Sequence, residues 1–293
     1  MRVATHNGSF HADEVFALAA LTLLDEPVEI VRTRDREAMS ACDLRVDVGF
    51  SYDPAGGDFD HHQRGFSEVR ANGIGYASFG LIWREFGARV CGGDAELAAQ
   101  LDQSFVAAVD ANDTGQRVFT TTIDGVRPLT VNGVVGALNP RWDEALTDEQ
   151  ERARFDQAVA LAGGVLEREI ASAASGLRAA RFVREGIAGG SDPRLVELAE
   201  NVPWKSVVVP EAPEALYVIY PKRQGFGLEA VPRELGSFDN RRDLPEPWAG
   251  LDGPDLAALT GVEDALFCHA KRFLCVARTR EGIGELARQA LAG

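Results

Sequence analysis

Over the first 115 residues, segments with strand character alternate with segments of helix character, and this constrains the chain more than any other feature. Arg2 to Thr5 reads as a strand, and Ala12 to Leu24 as a helix closed by Asp25-Glu26-Pro27. Val28 to Arg32 follows as a second strand, Arg36 to Met39 as a short helix, and Leu44 to Val48 as a third strand ending at Gly49. Helices over Tyr76 to Val90 and Asp94 to Ala111 complete the unit. The strands are β-branched or apolar and the helices rich in alanine and leucine. Strand–helix–strand order of this kind predicts a mainly parallel sheet covered on both faces, a Rossmann-like α/β domain.

A long connector helix is predicted next. Thr147 and Gln150 form a capping-box pair, and Asp148 and Glu149 suit the positive end of the helix dipole. Phe155, Val159, Ala162, Leu166, Ile170, Ala173, Leu177 and Ala180 recur at spacings of three and four, interrupted only by Gly163-Gly164, until Gly189-Gly190 ends the run. From Ser191 the texture becomes that of a smaller α+β domain. Its strand segments are Leu216 to Tyr220, Leu228 to Val231, Ala265 to His269 and Phe273 to Ala277, with a proline-rich loop over Leu244 to Leu251 and a last helix after Thr279. The expected division is a catalytic domain over 1–145, a connector over 146–190 and a substrate-binding domain over 191–293.

The chemistry gathers near the N-terminus. Four of the five histidines, His6, His11, His61 and His62, lie within the first 62 residues, each close to carboxylates; the fifth is His269. The first strand runs into Thr5-His6-Asn7-Gly8-Ser9-Phe10-His11-Ala12-Asp13-Glu14, the third carries Asp47, and the next loop reads Asp58-Phe59-Asp60-His61-His62-Gln63-Arg64. Val109-Asp110-Ala111-Asn112-Asp113-Thr114-Gly115 comes later. In an open α/β sheet the carboxyl ends of the strands share one edge, where ligands bind. Imidazoles and carboxylates crowded there force protons onto one another unless divalent cations neutralise them. Mixed histidine and aspartate donors suit manganese, iron, zinc or cobalt, and this many donors suggests two ions. Taken singly, each residue reads better as a cap, a turn or a satisfied core histidine. Their joint placement at successive strand ends is what points to a site.

Charge limits the partners. With 30 Lys+Arg against 45 Asp+Glu, the net charge of −15 repels polyanions at long range and excludes a broad duplex-coating surface. Cys42, Cys91, Cys268 and Cys275 form no C-x-x-C pair, so neither a zinc knuckle nor a disulfide framework is expected. No signal-peptide h-region is evident, and the longest apolar stretch, Val15 to Leu24, is far short of the roughly 20 residues that span a bilayer. A cytoplasmic protein with no membrane contact is expected; its oligomeric state is not legible.

The order of these motifs resembles the DHH phosphoesterase superfamily, which includes RecJ-type nucleases, oligoribonucleases and family II inorganic pyrophosphatases. THNGSFHADE, VRTRD, VDVG, DFDHHQR, VDANDTG, VPWK, LPEPWAGL and ARTREG are similar to its Myg-type branch of predicted metal-dependent hydrolases, from Thr5 to Gly282. The resemblance implies two domains and one or two Mn²⁺ (or Mg²⁺) ions. It implies His6, His11, Asp13, Asp47 and His61 as metal ligands, with Asp113 as the last ligand and Asp110 its alternative. Asp60, His61 and His62 form the catalytic motif, His62 closest to substrate. Here His11-Ala12-Asp13 stands where most relatives have Asp-x-Asp, and the glycine- and histidine-rich stretch many carry before the last helix is absent. For substrate binding the chain offers His269, Lys271, Arg272, Arg278 and Arg280, together with Arg64; Arg32 and Arg34 are weaker candidates. Arg278 and Arg280 would meet a phosphate with the free N–H groups of the last helix. Trp142, Trp204 and Trp248 could stack on bases, but packing is the better reading. The implied activity is 3′→5′ exonucleolytic cleavage of single-stranded RNA or short oligonucleotides, releasing 5′-monophosphates. The rivals are a small-molecule phosphatase or pyrophosphatase on the same scaffold, and a non-catalytic nucleotide- or RNA-binding module.

Overall fold

Val3 and Ala4 are fully buried in the first strand, β1 (Arg2–Thr5), which lies between two parallel neighbours, β2 (Glu29–Arg32) and β3 (Leu44–Val46). The computed structural model describes residues 1–293, which divide into two compact units, Met1–Ala174 and Ser175–Gly293. In the first, the chain leaves β1 through helix α1 (Ala12–Thr22) to reach β2, and returns through α2 (Arg36–Ser40) to β3 on the other side of β1. Two short strands, β4 (Tyr52–Asp53) and β5 (Asp58–Phe59), extend the sheet to the order β2-β1-β3-β5-β4, parallel except at β4. The sheet is thus mainly parallel, as the alternation predicts. Strand order reverses between β1 and β3, which makes their carboxyl ends the natural crevice for a ligand.

α1 is buried from Ala12 to Leu21, on every face, and stops where the Thr22 hydroxyl donates to the Ala19 carbonyl (2.7 Å). Helix α3 (Ser78–Val90) packs on α1, and α4 (Ala95–Leu101) follows, capped by Asp94. The single helix expected over Asp94 to Ala111 is interrupted: a π-helical turn over Asp102–Val106 links α4 to α5 (Ala107–Asp113). A short helix, α6 (Val131–Gly136), precedes the long one.

That long helix, α7, spans Asp148–Gly189. Its predicted capping box is present: the Thr147 N–H donates to Gln150 Oε1 (2.9 Å) and the Gln150 N–H to Thr147 Oγ1 (3.3 Å). Phe155, Val159, Ala162 and Leu166 bury the first half of its stripe, and the Gly163-Gly164 pair stays helical because that stripe is packed on both sides of it. Thr147→Ala should lower stability by about 1 kcal/mol in urea unfolding, whereas an unchanged midpoint would mean the cap contributes nothing.

The second unit is built on the sheet β6-β7-β8-β10-β9: β6 (Leu195–Glu197), β7 (Tyr217–Lys222), β8 (Gly225–Ala230), β9 (Ala265–Cys268) and β10 (Leu274–Ala277). Only the β6–β7 pair is parallel. α8 (Lys205–Glu211) lies between β6 and β7, α9 (Gly253–Thr260) before β9, and α10 (Arg280–Ala292) closes the chain. Tyr217, Leu228, Leu244, Trp248, Leu256, Cys275, Ile283 and Leu286 form its core. The segment 244–251 is irregular apart from a 3₁₀ turn at Glu246–Trp248, and it folds inward through Leu244 and Trp248. Trp204 is likewise buried, while Trp142 is exposed. No helix is long and apolar enough to cross a membrane.

Candidate metal centre

β3 ends at Val46, two residues earlier than its apolar pattern suggests, because Asp47 adopts a left-handed backbone (φ 55°). Such a conformation costs a non-glycine residue on the order of 1 kcal/mol and concentrates at functional sites. It turns the chain through Gly49 (φ 107°) and Phe50 (φ 58°) while the Asp47 N–H still donates to the Phe59 carbonyl (3.1 Å). The Asp47 carboxylate then meets three imidazoles: Oδ2 lies 3.3 Å from His6 Nε2, and Oδ1 lies 3.4 Å from His61 Nε2 and 3.3 Å from His62 Nδ1.

The loop beyond β1 is held from below. Arg32 donates through Nη2 to the Gly8 carbonyl (2.5 Å) and stacks on Phe155 (4.3 Å), while the Phe10 N–H donates to Asn139 Oδ1 (2.8 Å) and Asn139 Nδ2 donates to the Phe10 carbonyl (2.7 Å). The first turn of α1 then presents His11, Asp13 and Glu14. Glu14 Oε1 accepts from the His11 N–H (2.7 Å) and lies 3.0 Å from His6 Nε2. From the end of α5, Asp113 lies 3.1 Å from His61 Nε2 and 3.7 Å from His11 Nδ1. Three sets of donor atoms result: His6, His11, Glu14 and Asp47; Asp47, His61 and His62; and His11, Asp13 and Asp113. Within each set all donor atoms lie within 4.8 Å of one another.

Asp13 and Glu14 are fully buried and Asp47 nearly so, a concentration of negative charge that must be neutralised. Burial and the neighbouring Asp47 and Glu14 carboxylates push the Asp13 carboxyl well above its ordinary range. At Asp47 burial acts in the same sense, yet the hydrogen bonds of His6, His61 and His62 overcome it and hold the group far below that range. The histidines respond reciprocally. Burial opposes charging the His6 ring, but Asp47 and Glu14 raise it to about 10; Asp113 and Asp47 likewise raise His61 to about 9; and Asp47 and Asp60 raise His62 to about 10. Imidazolium is thus the charge available within the protein to offset the carboxylates, a place a bound cation would take instead. Asp13 Oδ1 and Glu14 Oε2 are nonetheless buried without a hydrogen-bond partner, and His61 Nε2, close as it is to Asp113 and Asp47, makes no well-aligned one, although buried polar atoms are nearly always paired. Orphaned donors of this chemistry in one cluster fit divalent cations.

Of the sequence-predicted residues, His6, His11, Asp13, Asp47, His61, His62 and Asp113 come together. Asp60 stands behind them: it accepts from the N–H groups of Phe50 (2.7 Å) and His62 (3.0 Å) and lies 2.8 Å from His62 Nδ1, so it aims His62, whose side chain is half exposed. Asp110 points away. It is fully buried against Arg70 (2.8 Å) and accepts from the Gly80 N–H (3.0 Å), and burial pushes its carboxyl up to about 7 against the pull of Arg70. Asp113, three residues on, is the one that reaches the histidines. Arg34 lines the cavity of about 380 Å³ above His6, His11, Asp47 and His62, whereas Arg64 is exposed outside its lining.

In the second unit the basic residues are partly engaged. Arg272, at the β9–β10 turn, pairs with Asp243 (2.9 Å), and Arg280 with Glu197 (3.0 Å). His269 packs its ring on Phe273 and accepts from the Lys271 N–H (3.1 Å). Thr279 caps α10 by accepting from the Gly282 N–H (3.0 Å), so the phosphate pocket expected of Arg278, Arg280 and free helix N–H groups is partly filled by the protein itself. Lys271 and Arg278 are exposed. Two residues of the centre have no sequence signal of their own. Glu14 reads as an ordinary first-turn acid, and Ser78, whose hydroxyl donates to Asp47 Oδ1 (2.9 Å) and whose N–H donates to Asp13 Oδ2 (3.3 Å), reads as a plain helix start.

The mainly parallel sheet with a histidine–carboxylate cluster at its switch point places this chain among the α/β proteins that bind ligands at the carboxyl ends of their strands, here beside side chains that could hold a cation. The family model MYG1_exonuc, described as an uncharacterised protein family (UPF0160), matches residues 2–291. The chain is 37% identical to the human MYG1 exonuclease, with 99% of this chain and 86% of the human one aligned. It is 33% identical to the MYG1 protein C694.04c of Schizosaccharomyces pombe (99% and 97%) and 32% identical to the MYG1 protein YER156C of Saccharomyces cerevisiae (99% and 96%). The chain belongs to the MYG1 family.

Proposed function

We propose that this protein is a metal-dependent phosphodiesterase of the DHH type, a 3′→5′ exonuclease that trims single-stranded RNA or short oligonucleotides to 5′-monophosphates. The observation that carries this reading is the convergence of His6, His61 and His62 on the one carboxylate of Asp47, with Asp13 and Asp113 beside it. The human relative's name, an exonuclease, agrees with it. Two Mn²⁺ or Mg²⁺ ions, bound there, would supply Lewis acidity toward water and phosphoryl oxygens. His6, His11 and Asp47 would hold one, and Asp13, Asp47, His61 and Asp113 the other, with Asp47 shared. His62, aimed by Asp60 and open to solvent, orients the phosphate or gives a proton to the leaving oxygen. Residues 1–145 would form the catalytic part, 146–190 the connector, and 191–293 the substrate-binding part through His269, Lys271, Arg272, Arg278 and Arg280, with Arg64 assisting. The protein would work in the cytoplasm.

A second reading is favoured by the modest cavity of about 380 Å³ and the net charge of −15: a phosphatase or pyrophosphatase for small substrates. Protein loaded with Mn²⁺ is incubated with a 5′-labelled single-stranded RNA, with pyrophosphate and with nucleotides, beside His61→Ala. A descending ladder that is lost in the variant supports the nuclease. Turnover of the small phosphates alone gives the second reading, and no turnover with retained nucleotide binding leaves a binding module.

A further inference from the structure

Arg70 lies outside the donor cluster, yet every nitrogen of its buried guanidinium is engaged. Nε donates to both carboxylate oxygens of Asp102 (2.9 and 3.0 Å), and Nη2 to Asp102 Oδ1 and to Asp110 Oδ2 (2.8 Å each). Nη1 donates to the Gly75 carbonyl (3.1 Å), and Tyr76 stacks on the plane at 4.0 Å. A buried ion pair adds little net stability for its desolvation cost, and holding a particular geometry is its better-attested use.

The elements it joins are those that carry one half of the cluster. Asp102 opens the π-helical turn that leads into α5, and such turns are frequent at functional sites. Asp110 lies one turn before Asp113 on α5 and accepts from the Gly80 N–H at the start of α3. That first turn of α3 holds Ser78, which donates to Asp47 and to Asp13. Gly80 leaves room for the contact: a Cβ there would overlap Asp110 Oδ2 and Arg70 Nη2 and lie 2.9 Å from Tyr76. We propose that Arg70, with Asp110 and Gly80, is a positioning clamp that fixes the N-terminus of α3 against α5 so that Asp13, Asp47 and Asp113 share one cation. Asp13 and Asp113 belong to one half of the cluster, whereas Asp47 is common to both, so loss of the clamp should weaken the Asp13–Asp113 position more than the His6–Glu14 one.

The proposal rests on the two-cation reading above, and its test separates the two. Mn²⁺ binding is measured by titration calorimetry and by the Mn²⁺ resonance signal for the parent, Arg70→Met, Gly80→Ala and Asp110→Asn, with circular dichroism and a urea midpoint for each. The parent is expected to bind two ions. Arg70→Met and Gly80→Ala should weaken one ion at least about tenfold more than the other, and Asp110→Asn, which keeps shape and one acceptor for Gly80, should show a smaller difference. A merely structural role would lower the urea midpoint and leave both affinities intact, and that result overturns the clamp. If Arg70→Met or Gly80→Ala fails to fold, the shape-conserving Asp110→Asn decides by the same readout. A parent that binds no Mn²⁺ refutes the cation reading itself.

Discussion

Asp47→Asn is expected to lower turnover by at least about 10³-fold, equivalent to ~4 kcal/mol in the barrier, while the protein stays folded. Asparagine is the informative substitution because it tolerates the left-handed backbone that Asp47 adopts and keeps the side-chain shape. What it removes is the one negative charge on which His6, His61 and His62 converge and which both proposed cations would share. Mn²⁺ affinity should fall with it at both positions. Steady-state kinetics with a short oligonucleotide, beside a folding control, measures this. A variant retaining a tenth of the parent's turnover would remove Asp47 from the centre of the chemistry.

Gly225→Ala should destabilise the protein by about 3–5 kcal/mol without any contact to that centre. Gly225 opens β8 with φ 99°, and a Cβ there would overlap the Ala277 carbonyl oxygen and lie 3.0 Å from Arg278 Cα. Both obstacles are backbone, at the end of the neighbouring strand β10 and just beyond it, so no side chain can rotate aside. Gly236→Ala is the control: its φ of 81° is equally unfavourable, but a Cβ meets nothing within 4 Å, so only the backbone preference of about 1 kcal/mol is lost. Equal urea midpoints for the two variants would show that backbone preference alone acts at Gly225.

Features that depend on near neighbours were legible in the sequence. The alternation that places β1, α1, β2 and β3, the Thr147–Gln150 box and the Thr279 cap all involve residues within a few positions of one another. The early end of β3 was not, since Val46-Asp47-Val48 reads as an uninterrupted strand until the backbone turns at Asp47. Nor was the commitment of Arg272 and Arg280, whose partners lie 29 and 83 residues away. Ser78 meets Asp47 and Asp13 across 31 and 65 residues, and nothing local marks it. β6 and α8 are too short to carry a periodicity. Asp110 and Asp113 share one helix end and one short motif; only their directions, inward to Arg70 or outward to His61, distinguish them.

The paired hydrogen bonds between Phe10 and Asn139 close a loop of 129 residues around the first histidines. At a synthesis rate of roughly 5–20 residues per second, the chain bearing His6 and His11 waits on the order of ten seconds for its latch to be made. Through that interval the loop lacks the two hydrogen bonds that tie Phe10 to Asn139. Whatever order this contact lends to the loop between His6 and His11 is therefore acquired only after nearly half of the chain has been made.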